Sequence, residues 1–182
     1  TVCWHRVVRT ATAMIKQPIY SALREEIIAP EELYWLDDKE FFRRFHPERY
    51  GPFELLERTA RRELLKTAWE GSFDPERKEH RRLMDLDVRG DRQTEIARML
   101  SSRLQRTVRP WEVIIDIPEP VSFEIDLPVH TGPDFVPFPH SESVFSGPVV
   151  ESFSAALRKI RLFLPEGTLE EGVKAAEEIL GP

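Results

Sequence analysis

The chain has 182 residues, a formal charge of −6, 41% hydrophobic side chains, five histidines and one cysteine. The single cysteine, Cys3, excludes an internal disulfide and fits a reducing cytoplasm, and the acidic balance gives no signal for a broad nucleic-acid surface. No run approaches the ~20 apolar residues of a membrane span, and the scattered histidines, with no CxxC or HExxH, lack metal-ligand spacing.

Residues 2–26 keep near-helical apolar spacing at Val7, Ala11, Met14, Ala22 and Leu23, which predicts one long helix. Pro18 should kink it or remove a backbone bond. The spacing is already helical at residue 2 with no capping residue, so the helix is expected to continue from a preceding segment. Pro30-Glu31-Glu32 opens a short helix through Leu36, with proline and acid where a first turn tolerates both. Asp37 or Asp38 caps the next helix, DDKEFFRRF. HPERYGP is a loop. From Pro52 a helix is predicted through FELLERTARRELLK, with Phe53, Leu56, Ala60 and Leu64 on one face. TAWEGSF reads as extended, and PERKEHRRLMDL and DRQTEIARMLSSRL as two further helices.

The texture then changes. WEVIIDIP and VSFEIDLPV are β-rich runs of strand length, with a turn at Glu119-Pro120 between them. HTGPDFVPFPHSES is a proline-broken loop, SVF resumes a strand, PVVESFSAALR is helical and KIRLFLP extended. TLEEGVKAAEEIL is a capped terminal helix. The fold class expected is α+β: a mostly helical N-terminal half, then a small antiparallel β-sheet lobe with a C-terminal helix. The expected boundaries are 1–105 and 106–182.

Two basic stripes stand out. Arg6, Arg9 and Lys16 lie near the exposed face of the first helix, with His5 one turn before Arg9. Cations in a first turn oppose the helix dipole, so either the helix begins earlier or these charges face an anion. In the 52–66 helix, Arg58, Arg62 and Lys66 recur at i, i+4 and i+8 beside Arg61. Arginine forks grip phosphate bidentately, and lysine adds a mobile point charge. Glu54–Arg58 and Glu57–Arg61 are good helical ion pairs, but Arg62 and Lys66 have no acid in the favourable orientation. Spacing alone leaves phosphate binding and a salt-bridged surface both open.

Three motifs follow in order: Cys3-Trp4-His5-Arg6-Val7 with Met14-Ile15; Leu33, Leu36, Asp37, Asp38 and Phe41; and Arg62-Glu63-Leu64-Leu65-Lys66. VIIDIP, SVF and KIRLFLP come after them. Together they span nearly the whole chain. In this order and spacing the sequence resembles the C-terminal region of HD-domain phosphohydrolases of the deoxynucleoside triphosphate triphosphohydrolase type. In that family the metal site lies upstream, on a His, a His-Asp doublet and a later Asp. This chain has no His-Asp doublet. The resemblance therefore implies no cofactor bound by this chain, a divalent metal in the parent's HD core, and no hydrolysis by this portion alone. It places Trp4 at the substrate pocket, His5 and Arg6 at a nucleotide-phosphate site where subunits meet, and Arg62, Leu64 and Lys66 on that site's other side. Cys3 stands where tyrosine is usual. The partners implied are a nucleoside triphosphate, the upstream HD core and further copies of the chain, in the cytoplasm.

Other residues receive plainer expectations. Asp116, Asp126 and Asp134 could form a carboxylate set, but strand alternation puts Asp116 and Asp126 on exposed faces. His130 and His140 sit on a surface loop, and Ser141 and Ser143 have no local base. Trp35, Phe41, Phe42 and Phe45 are core or interface. Phe123, Phe135 and Phe138 cover one face of the small sheet. KEHRR (78–82) is a solvated face. Apolar surface on the first helix should be exposed and favour self-association. The alternative reading is a freestanding α+β interaction module with no nucleotide ligand, its basic residues neutralised by glutamates.

Overall fold

KIRLFL is the centre of the fold. Three alternate residues of this strand must be buried on each side, so two layers form around it. The computed structural model describes residues 5–119, 128–132, 134–137 and 158–181. In it, β5 (Lys159–Leu164) lies between β1 (Lys66–Ser72) and β2 (Ile114–Asp116), antiparallel to both. Ile160, Leu162 and Leu164 join Val113, Ile115 and Ile117 on one face. α5 (Leu86–Leu104) covers that face through Ile96, Ala97 and Leu100. The terminal helix α6 (Leu169–Leu180) adds Ala175, Ala176 and Leu180. Phe163 and Ile114 point to the other face, where they meet Ala13 and Met14 of α1 (Arg6–Arg24) and Leu55 of α3 (Glu54–Ala60). The class is α+β, as expected, and the central sheet draws β1 from before residue 105 and β2 and β5 from after it.

α1 runs unbroken through Pro18, and Glu26 ends it in the left-handed region at φ 55°. The Ile27 N–H then bonds Ala22 O at 2.8 Å, closing the last turn. The second half of α1 packs its Ala22 with Ile28, Phe45, Phe53 and Leu56 in a separate core cluster. α2 (Asp38–Arg44) begins as expected: Asp37 accepts a hydrogen bond from Glu40 N at 2.8 Å. Trp35 takes no part in the core. It is 99% exposed and sits at φ 62°, while Phe45 alone of its group is fully buried.

The predicted 52–66 helix is corrected. α3 stops at Ala60, and Arg62 occupies the left-handed region at φ 61°. Glu63 N–H bonds Arg58 O at 2.8 Å and Arg62 N–H bonds Thr59 O at 3.0 Å, the pattern of a glycine-type helix cap with arginine in the glycine's place. The reason is tertiary. Lys66 must already be extended to pair with Leu164, and only a sharp stop leaves room for it. The three-turn basic ridge therefore does not form.

Two more expectations change. Part of the proline-broken loop is a hairpin, β3 (Pro128–Thr131) with β4 (Asp134–Pro137), turning at Gly132 with φ 68°. His130 lies on its exposed surface against the Phe135 ring. The strand residues 121–127, the SVF strand, the helix expected over 148–157, His140, Ser141 and Ser143 lie outside the described residues. No helix among the described residues is long and apolar enough to cross a membrane.

KEHRR is likewise not a fully solvated face. In α4 (Lys78–Arg82) the His80 ring is buried beside Phe73, and its Nδ1 accepts a hydrogen bond from Asp74 N at 2.9 Å. Burial lowers its pKa, Arg77 adds to that, and Asp74 and Glu79 oppose it. A histidine whose folded pKa is depressed supports the fold above its unfolded value near 6.5 and loses that support as pH falls. Acidification below that value should thus weaken the fold by on the order of 1 kcal/mol, the net worth of one hydrogen bond. Urea unfolding across pH checks this, and His80→Asn, which keeps an acceptor, should flatten that part of the profile.

Candidate functional site

Asp116 ends β2 and faces α1, contrary to its expected exposure. It is buried at 6% exposure. Arg9, one turn into α1, meets it with a fork: Nε donates to Oδ2 at 2.9 Å and Nη2 donates to Oδ1. Arg9 is therefore not on a solvated stripe. Directly across the sheet, Arg161 of β5 registers with Asp116 on one side and Glu70 of β1 on the other. Its Nε donates to Glu70 Oε2 at 3.0 Å, and its buried Nη1 has no hydrogen-bond partner among the described residues. Lys159 donates to Glu70 Oε1 at 2.6 Å. Burial pushes the Glu70 carboxyl up, but these two cations outweigh it and hold it below the usual range. A charged ladder thus crosses the sheet face under α1.

Beside the Arg9–Asp116 pair opens a cleft of about 380 Å³ between α1, β2 and the start of α5. Lys16 and Tyr20 stand on its α1 wall and Arg89 on the α5 wall, over a floor that includes Ile114 and Ile117. Arg89 Nε donates to Leu83 O at 2.9 Å. Burial lowers the Arg89 pKa, against the pull of Asp116 and Glu119. Sequence reading missed both Arg89 and Asp116. For Asp116 there was a signal: one carboxylate inside the apolar run VIIDIP, a strand covered on both faces. For Arg89 there was none.

The residues expected at a nucleotide site lie elsewhere. His5 and Arg6 are exposed at the start of α1. Arg62 and Lys66 are exposed and form no ion pair among the described residues, whereas Arg61 pairs with Glu57. Leu64 is half-buried against the core cluster that contains Met14. Leu65 N–H donates to Met14 Sδ at 3.3 Å, which lays the 62–66 segment against α1 about two turns beyond Arg6. None of these residues lines the 380 Å³ cleft. Trp4 lies outside the described residues. Among the described residues no three of His, Cys, Asp and Glu gather as metal ligands.

The site thus sits on an α+β architecture, a three-stranded sheet between two helical layers. The chain belongs to the HD associated region family, whose model matches residues 1–181. It is thus a region that works in association with an HD domain. Comparison with curated proteins and with solved structures gave no match.

Proposed function

We propose that this chain is the regulatory and assembly portion of a metal-dependent HD phosphohydrolase of the deoxynucleoside triphosphate triphosphohydrolase type. Water activation by a divalent metal belongs to the parent's HD core. This chain contributes Trp4 to the substrate pocket, and His5, Arg6, Arg62 and Lys66 to the phosphates of a nucleoside triphosphate, with Leu64 packed beneath them. Val7 and Val8, exposed next to Arg6, supply apolar area for contact with the HD core or a second subunit.

The observation that supports this reading best is Arg62. A non-glycine residue in the left-handed region costs about 1–2 kcal/mol, and glycine is the usual residue in such a helix cap. An arginine held there, exposed and in no ion pair among the described residues, is poorly explained by stability and well explained by an anionic ligand.

Arg62→Gly separates the two. It should leave the fold intact or strengthen it by up to about 1 kcal/mol, yet abolish nucleotide binding. Thermal unfolding with dGTP, GTP, dATP and triphosphate provides the readout, since a ligand of the folded form raises the midpoint by mass action. The native chain should shift, while Arg62→Gly and Arg62→Ala/Lys66→Ala should not. No shift in the native chain, nor in the chain extended upstream by its HD core, would remove the nucleotide reading and leave an interaction module.

A further inference from the structure

The cleft under α1 has chemistry of its own. Its volume of 380 Å³ falls in the range of small-molecule sites. Of its three cations, Arg9 is spent on Asp116. Arg89 spends only Nε, on Leu83 O, and forms no ion pair among the described residues, which leaves its two Nη groups for another acceptor. Lys16 on the opposite wall is exposed and likewise forms no ion pair among the described residues. The lining also includes Ile19, Leu23 and Leu86, which no oxyanion would need. A second carboxylate, Glu119, leaves the lining at net +1. That balance suits one negative charge and disfavours a triphosphate, whose further charges would meet Glu119.

We propose that this cleft binds a small organic monocarboxylate, its head held between Arg89 and Lys16 and its apolar body laid on Ile19, Leu23 and Leu86. Arginine donates to a carboxylate through a paired fork, and its half-buried position strengthens the contact relative to open solvent. The apolar wall supplies the remaining affinity through area removed from water. The site is independent of the nucleotide reading, because it shares no residue with Arg6, Arg62 or Lys66.

The test uses the whole chain with octanoate and phenylacetate, and with octanol and phenylethanol as uncharged counterparts. Thermal unfolding reports stabilisation, and saturation-transfer NMR reports contact irrespective of stability. Both acids should raise the midpoint in a dose-dependent way and give saturation transfer, and the alcohols should do neither to the same extent. Lys16→Glu changes an exposed position and should abolish the effect without unfolding the chain. Arg89→Gln should abolish it too, at some loss of stability from the Leu83 contact. Arg62→Gly should leave acid binding unchanged, so this site and the nucleotide site fail separately. Equal effects of acids and alcohols, an effect that survives Lys16→Glu, or no binding by either acid would each overturn the proposal.

Discussion

Asp116→Ala is expected to destabilise the chain by about 3–5 kcal/mol, the usual cost of removing one member of a buried ion pair. Arg9 and Asp116 keep only 15% and 8% of their side-chain exposure. Arg161, at 6%, lies in register across the sheet. Removing the carboxylate leaves two buried guanidinium groups with Glu70 as the nearest acid in the ladder, and Glu70 already serves Lys159. Arg161 Nη1 already lacks a partner among the described residues, so these offer the charge no second acceptor. Asp116→Asn should cost less, because an amide oxygen still accepts from Arg9. Arg9→Met/Asp116→Leu should recover most of the loss, since the pair's attraction is largely offset by desolvation. Urea unfolding of the native chain, Arg9→Met, Asp116→Leu and the double variant closes a double-mutant cycle, with Asp116→Ala and Asp116→Asn measured beside it. A cost for Asp116→Ala near that of a surface pair, below about 1 kcal/mol, would mean that water reaches the pair in solution.

The elements governed by local rules were legible from the sequence. KIRLFLP became the central strand because a short apolar run between a basic segment and a proline has few other places to go. Asp37 capped its helix because the side chain needs only the backbone three residues on. TAWEGSF became β1. What escaped was decided by partners distant in sequence. The sequence separation of 107 between Arg9 and Asp116 hides their pairing, so period-two alternation placed Asp116 outward although α1 covers that face. Arg62 follows a strong helical pattern, and the helix ends there because β1 must start four residues later to meet β5. His80 looked solvated amid charges, yet the backbone of Asp74 six residues earlier captures its ring.

The candidate site divides in the same way. The residues named from motif resemblance, His5, Arg6, Arg62, Leu64 and Lys66, occupy two surface segments joined through Met14 and Leu65. The contact of the second segment with α1 at Met14 follows from the packing of α1 on α3 and β1. The cleft needed the fold itself, because its walls come from residues near 16, 89 and 116 with no common motif.

Phe163→Ala is expected to cost about 3–5 kcal/mol, and the loss should fall on α1. Phe163 is fully buried and shares its cluster with Met14 and Ala13 of α1, Leu55 of α3, and Leu65 and Ile114 from the sheet side. Its ring is the largest fully buried side chain in that cluster. Truncation opens a cavity that α1 cannot fill by sliding, since the Arg9–Asp116 fork and the Pro18–Ala22 half of the helix anchor it at either side. The opposite face of β5, packed on α5 and α6, loses nothing directly. Hydrogen exchange should therefore show the amides of α1 near Ala13 and Met14 losing protection well before those of α5. Because α1 carries Arg6 and one wall of the cleft, with His5 at its start, the proposed nucleotide and carboxylate binding should both weaken in this variant, whereas Arg62→Gly touches only the first and Lys16→Glu only the second. Equal loss of protection in α1 and α5 would show instead that the two layers unfold as one unit and that α1 is not separately held.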